Sequence, residues 1–342
     1  MGRARGLVRL PRRLHAPRRQ ADGPRGRGAG PQDARGLTCP SGPADVRPLR
    51  GILPPVVTPF QADGALDLAA FESNLEAWAR EDLEGYVVLG SNGEAASLEE
   101  DEKLALVRAA RARAGGRTVL VGTGLDSTRA TIALTRRVAD LGADGALVLT
   151  PHYYKPQMTA DALRRHYTAV ADASPIPVYL YSMTLFTGVP WPPGLAADLA
   201  SHPRIVGIKE SSSDLGLLGR ILSSVPARFQ VACGSAPVFY PSLCIGACAG
   251  VLAVANCAPA LAAAVYRAFE KGGHARARRL QEALTPLAVA VTTTYGIAGL
   301  KAAVDLAGLR GGHVRAPLLP LPAAARDDIA SLLSAARQAM AA

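Results

Sequence analysis

The chain has few aromatic residues, 5% of its 342, and no long uninterrupted apolar run. The stretch Leu243–Ala255 is broken by glycines, and crossing a bilayer takes about 20 apolar residues, so no membrane partner is expected. Cysteine is scarce and odd in number: Cys39, Cys233, Cys244, Cys248 and Cys257, with no Cys-x-x-Cys pair. That excludes a disulfide framework and suits small buried side chains in a reducing compartment. The six histidines show no metal-ligand spacing, so no metal and no cofactor is expected. Lysine is scarce, five against 33 arginines.

Acidic residues are missing where the charge is highest. Residues 1–50 hold twelve Arg against Asp22, Asp33 and Asp45, which is +9 of the net +10. The remaining 292 residues are close to neutral, with 26 basic and 25 acidic side chains. The body of the protein therefore shows no global electrostatic case for nucleic acid, and no nucleic-acid partner is expected. Residues 1–50 are rich in Arg, Gly and Pro, show no hydrophobic period, and are expected to form a disordered tail. An upstream start without a selected role, a nucleic-acid-binding tail and an organellar targeting segment all remain open for it. A cytoplasmic location is expected, or a mitochondrial one if the tail is a transit peptide.

From Gly51 onward, apolar strands alternate with amphipathic helices. Strands are expected at Ile52–Val57, Gly85–Leu89, Thr118–Gly122, Gly145–Thr150, Ile176–Tyr181, Ile205–Lys209, Phe229–Cys233 and Gly250–Val254. Helical periods fill the gaps, as at Asp67–Arg80, Glu99–Ala114, Ser127–Leu141 and Thr159–Ala173. Strands apolar throughout, each followed by a helix, imply a parallel sheet covered on both faces. Eight such units imply an α/β fold closed into a (β/α)₈ TIM barrel. The expected organisation is a tail over 1–50, the barrel over 51–274 and extra C-terminal helices over 275–342.

Active sites of such barrels lie at the carboxyl ends of the strands. Those ends are glycine-rich and polar, including Gly90-Ser-Asn-Gly-Glu94, Thr150-Pro-His-Tyr-Tyr154, Tyr181-Ser182 and Lys209-Glu-Ser211. The turn Gly122-Thr-Gly124 lacks the further glycine and acid of a dinucleotide fingerprint. Lys209 ends a buried strand, with its stem in the core and its amine at the barrel mouth. Desolvation there disfavours the ammonium form, and a free amine attacks a ketone to give a Schiff base.

Together these strand ends resemble the dihydrodipicolinate synthase / N-acetylneuraminate lyase family of class I pyruvate aldolases, over roughly Gly51 to Leu318. The family's Gly-x-x-Gly-Glu loop stands at Gly90–Glu94, its Thr-Pro-x-Tyr segment at Thr150–Tyr154, its catalytic tyrosine at Tyr181 and its Schiff-base lysine at Lys209. Within the family the likeness is to 4-hydroxy-2-oxoglutarate aldolase. Ser91-Asn92 stands where dihydrodipicolinate synthases carry Thr-Thr, and Gly296–Lys301 and Gly311–Pro317 also look like that aldolase.

The resemblance implies roles. Lys209 would form the imine, Tyr181 would move protons, and Tyr153 would reach into a neighbouring subunit's site as a relay. Ser91 and Asn92 would hold the substrate's carboxylate, and Ser211 its far end. A homo-oligomer, a dimer or tetramer, follows from the Tyr153 role, and the other partner is a small 2-oxo acid.

The segment after Tyr181 departs from the family pattern: Thr184 replaces a proline. Phe186 stands where dihydrodipicolinate synthases carry a carboxylate-binding arginine, and a phenyl ring cannot pair with a carboxylate. The expected function is cleavage of 4-hydroxy-2-oxoglutarate to pyruvate and glyoxylate. The alternative is a related class I lyase or synthase acting on another pyruvate adduct: a deoxy sugar acid, an aryl-substituted 2-oxo acid, or a dihydrodipicolinate synthase-like reaction. Keeping both Lys209 and Tyr181 argues against a catalytically inactive binding barrel.

Overall fold

The structure, a computed structural model, describes residues 46–341. Among the described residues there are eight strands: β1 Gly51–Ile52, β2 Gly85–Val88, β3 Thr118–Gly122, β4 Gly145–Leu149, β5 Val178–Ser182, β6 Ile205–Glu210, β7 Gln230–Cys233 and β8 Ala249–Gly250. All pairings are parallel, in the order β1-β8-β7-β6-β5-β4-β3-β2. Backbone hydrogen bonds close the ring between the first two strands. Glu84 N–H donates to Ile52 C=O (3.0 Å), Val87 N–H to Pro54 C=O (2.9 Å), and Val56 N–H to Val87 C=O (3.0 Å). The fold is the expected (β/α)₈ barrel. Three helices, His274–Val289, Gly296–Leu306 and Ala323–Ala341, follow the helix of the eighth unit, Pro259–Glu270.

The first and last strands are shorter than the sequence predicts. Pro54 and Pro55 stand inside the expected strand Ile52–Val57 and have no N–H to give to a ladder, so β1 ends at Ile52. At the other end, Ala253–Asn256 turns into a 3₁₀ helix instead of extending β8. The helices start where side chains can take up free N–H groups. Asp67 accepts from Ala70 N–H (2.9 Å), and Ser127 from Ala130 N–H (3.3 Å). Glu99 and Glu102 form a capping box before Glu100–Arg113.

Two apolar clusters follow from strand alternation. Val87, Leu120, Leu147, Tyr179, Tyr181, Val206, Ala232 and Ala249 share one cluster with Leu49 and Leu53. These residues come from successive strands and fill the barrel interior. The larger cluster packs the outer strand faces against the helices.

The expected tail needs correction at its end. Residues 1–45 lie outside the described residues. Leu49, assigned to the tail, is 3% exposed and packs into the interior cluster. Its N–H donates to Gln230 Oε1 (2.5 Å). The ordered barrel therefore begins before Arg50, with Leu49 as part of its core.

Candidate active site

Lys209 lies on β6, between Tyr181 on β5 and Ala232 on β7 in direct register. Residues in register on adjacent strands point to the same face, here the barrel interior. Lys209 is 4% exposed. Its amine stands 4.1 Å from the centroid of the Tyr181 ring, a cation–π distance. The other buried lysine, Lys301, is paired with a carboxylate, Glu94 Oε1 at 2.5 Å. Lys209 has no such ion pair among the described residues.

Tyr181 is fixed from both ends. Thr150 Oγ1 donates to the Tyr181 carbonyl (3.3 Å) and shares a hydrogen bond with the Tyr167 hydroxyl (3.2 Å). Burial pushes the Tyr167 phenol well above the ordinary tyrosine range, so it stays protonated. At the other end, the Tyr181 hydroxyl lies 3.4 Å from Ser91 Oγ, and either oxygen can donate. The sequence did not single out Thr150 as the residue that orients Tyr181.

Ser91 and Asn92 sit in a single 3₁₀ turn, Ser91–Gly93, after β2. Leu89 (φ 57°) and Glu94 (φ 53°) bracket this turn in the left-handed region. Such geometry costs non-glycine residues about 1–3 kcal/mol each and persists only where the surroundings enforce it. Here they do: Thr58 Oγ1 donates to Gly93 C=O (2.8 Å). A Cβ on Gly93 would come within 2.9 Å of the Val56 carbonyl. The turn keeps Ser91 and Asn92 half-buried at the end of β2.

Ser211 stands beside the lysine. A Cβ placed on Gly234 would lie 1.8 Å from Ser211 Oγ and 2.9 Å from Lys209 Cε. Glycine at 234 is what lets the two side chains converge. The Ser211 hydroxyl is buried and has no hydrogen-bond partner among the described residues, an unfavourable state for a polar group until something binds to it. Ser213 and Ser235 join the loops after β6 and β7 through their hydroxyls (2.6 Å). Glu210, next to Lys209 in sequence, is 3% exposed. Burial pushes its carboxyl above the ordinary range, against hydrogen bonds from Ser212.

Two expected site residues stand apart from this cluster. Tyr153 is held by its backbone, its N–H and that of His152 binding the Asp126 carboxylate (2.9 and 2.6 Å). Its ring is 74% exposed and packs edge-to-face on Tyr154. Phe186, on the short helix Thr184–Thr187, is 54% exposed. Neither is buried beside Lys209 within one chain. Among the described residues no group of three or more His, Cys, Asp or Glu is placed to hold a metal ion. None of their helices is long and apolar enough to cross a membrane.

The arrangement has relatives. A model of the dihydrodipicolinate synthetase family matches residues 48–336. The chain is 36% identical over 289 residues to a 4-hydroxy-tetrahydrodipicolinate synthase of Exiguobacterium sp., covering 84% of this chain and 97% of that one. It is 40% identical over 277 residues to the enzyme of the same name in Xanthomonas campestris, covering 81% and 91%. A solved prophage protein of the same family from E. coli K12, in complex with pyruvate, superposes with a TM-score of 0.79. That protein is 29% identical, and the match covers 84% of this chain and 99% of that one. On these matches the chain, a (β/α)₈ barrel with a buried lysine on its sixth strand, belongs to the dihydrodipicolinate synthetase family, whose members are class I aldolases and carbon–carbon lyases.

Proposed function

We propose that Lys209 forms an imine with pyruvate or a pyruvate adduct, and that the protein makes or breaks the bond between pyruvate C3 and an aldehyde carbon. The observation that carries this reading is the buried Lys209 amine over the Tyr181 ring, with the Tyr181 hydroxyl in reach of Ser91. The amine adds to the 2-oxo carbon and water leaves. The resulting iminium is the electron sink. In the joining direction C3 loses a proton, and the enamine adds to the aldehyde carbonyl. In the cleaving direction Tyr181 takes the proton from the C4 hydroxyl as general base. The C3–C4 bond then breaks, its electrons pass into the iminium, and the aldehyde leaves.

Ser91 would pass that proton to and from Tyr181, a role that its 3.4 Å distance from the Tyr181 hydroxyl supports. Ser91, Asn92 and the N–H groups of their turn are suited to the substrate's carboxylate. The unpartnered Ser211 hydroxyl is suited to a polar group farther along the substrate. Tyr153 would complete the relay from a second copy of the chain, which the exposure of its ring, packed on the likewise exposed Tyr154, supports.

The direction favoured is condensation of the synthase type, because both curated relatives carry a synthase name. This differs from the cleavage of 4-hydroxy-2-oxoglutarate expected from the sequence. That cleavage remains the second reading on specific residues: Ser91-Asn92 in place of Thr-Thr, and Phe186 in place of an arginine. A panel separates the two. Pyruvate is incubated with glyoxylate, sugar aldehydes, aromatic aldehydes and the amino aldehyde from which 4-hydroxy-tetrahydrodipicolinate forms, and cleavage of 4-hydroxy-2-oxoglutarate is followed in parallel. The synthase reading expects the highest kcat/KM with the amino aldehyde. Preference for glyoxylate and fast cleavage would replace it with the second reading.

A further inference from the structure

Glu94 is 3% exposed and Lys301 1% exposed, and they lie 207 positions apart in sequence. Lys301 sits on the helix Gly296–Leu306, beyond the eight barrel units. Its amine is 2.5 Å from Glu94 Oε1. It also donates to the His313 carbonyl (2.5 Å) and stands 4.5 Å from the centroid of the Phe60 ring. The other carboxylate oxygen of Glu94 accepts the Arg315 N–H (2.8 Å). The Arg315 guanidinium covers Phe60 at 4.1 Å and binds Glu102 through two nitrogens (2.6 and 2.7 Å). A Cβ on Gly311 would lie 2.0 Å from the Lys301 carbonyl, so the strap after the helix is pressed against it.

Burial lowers the Lys301 amine from the ordinary lysine range, and Glu94 opposes that shift. A buried pair of this kind is weak evidence for stability, since desolvation offsets the attraction. Its place in the fold gives it another use. Glu94 ends the turn that carries Ser91 and Asn92, its own N–H donating to Ser91 C=O (3.1 Å) in the left-handed conformation. What fixes the Glu94 carboxylate therefore fixes the turn, and with it the contact of Ser91 with Tyr181.

We propose that the Glu94–Lys301 pair is a positioning device: the helix Gly296–Leu306 and the strap after it hold the Ser91–Asn92 turn in its reactive geometry. The inference rests on the proposed role of that turn in binding the pyruvate carboxylate and serving Tyr181. Glu94 and Lys301 act through Ser91 and Asn92 and do not touch substrate.

Removing one charge leaves the other buried and unpaired, which destabilises strongly. The test therefore neutralises both in one variant, Glu94→Gln with Lys301→Met, beside the single Glu94→Gln. Thermal melting, kcat, KM for pyruvate and borohydride trapping of pyruvate on Lys209 are measured for each. With melting near that of the unaltered protein and trapping retained, kcat is expected to fall tenfold or more and KM for pyruvate to rise tenfold or more. A folded variant with kcat and KM within twofold of the unaltered protein would overturn the proposal. Hydrogen exchange on the unaltered protein covers the case in which both variants fail to fold. Pyruvate is expected to slow exchange in residues 296–317 as well as in 90–94. Slowing confined to 90–94 would also overturn it. Loss of trapping in the unaltered protein would instead refute the imine reading itself, a separate result.

Discussion

Replacing Tyr181 with phenylalanine removes one oxygen and little else. The ring stays, so its contact with the Lys209 amine (4.1 Å) and its packing in the barrel interior are kept. The lost hydroxyl is the one 3.4 Å from Ser91 Oγ. A positioned general acid–base contributes about 100- to 10,000-fold, or about 2.7–5.4 kcal/mol of barrier. The assay is steady-state kcat and kcat/KM with pyruvate and the best aldehyde of the panel, beside borohydride trapping of pyruvate alone. Tyr181→Phe is expected to lower kcat by at least 100-fold while trapping on Lys209 persists at a reduced rate. A fall of less than tenfold would show that Tyr181 is a core tyrosine and that the proton moves by another route.

Phe186→Arg should raise kcat/KM for dicarboxylic over uncharged substrates about tenfold or more, if the new ion pair contributes above ~1.4 kcal/mol in the transition state. An unchanged ratio would assign Phe186 to the subunit surface. Burial pushes His166 down to about 4, with Nδ1 bonded to Thr128 Oγ1 (2.8 Å) and Nε2 without a partner among the described residues. The folded pKa lies below the unfolded one, so the unfolded chain binds the proton first. This stability is full above about pH 6.5 and is lost as pH falls toward 4, on the order of 3 kcal/mol in all. Urea titrations at pH 7.5 and 5 should show a smaller loss for His166→Gln than for the unaltered protein, and equal losses would refute the assignment. Leu49→Ala should destabilise by about 2–5 kcal/mol, the range for a buried leucine. A change below 1 kcal/mol would mean that the segment before Arg50 does not pack as a core element.

The barrel was legible because its signal is repetitive: eight apolar strands alternate with helices. The places of Lys209, Tyr181 and Ser91, at or just after strand ends, were legible, and the structure puts them there. What escaped depended on distance along the chain or on a single side chain. Nothing near Glu94 announces Lys301, since their pairing needs the closed barrel to bring the last helices against the first loops. Thr150 was read as the last residue of an expected strand, and only the packing of β4 beside β5 aims its hydroxyl at the Tyr181 carbonyl. Leu49 follows an arginine-rich stretch, and composition averages hid one apolar residue that enters the interior. The overextended first strand was readable in principle, because Pro54 and Pro55 lack the N–H groups that a ladder needs.

The central claim is that Lys209 carries the imine. Incubation with pyruvate and borohydride, followed by peptide mass analysis, tests it most directly. The expected result is one irreversible pyruvate-derived adduct per chain, on the peptide containing Lys209, absent in Lys209→Arg because arginine stays protonated. Labelling of Lys155 or Lys301 instead, or no pyruvate-dependent adduct in an active preparation, would contradict it.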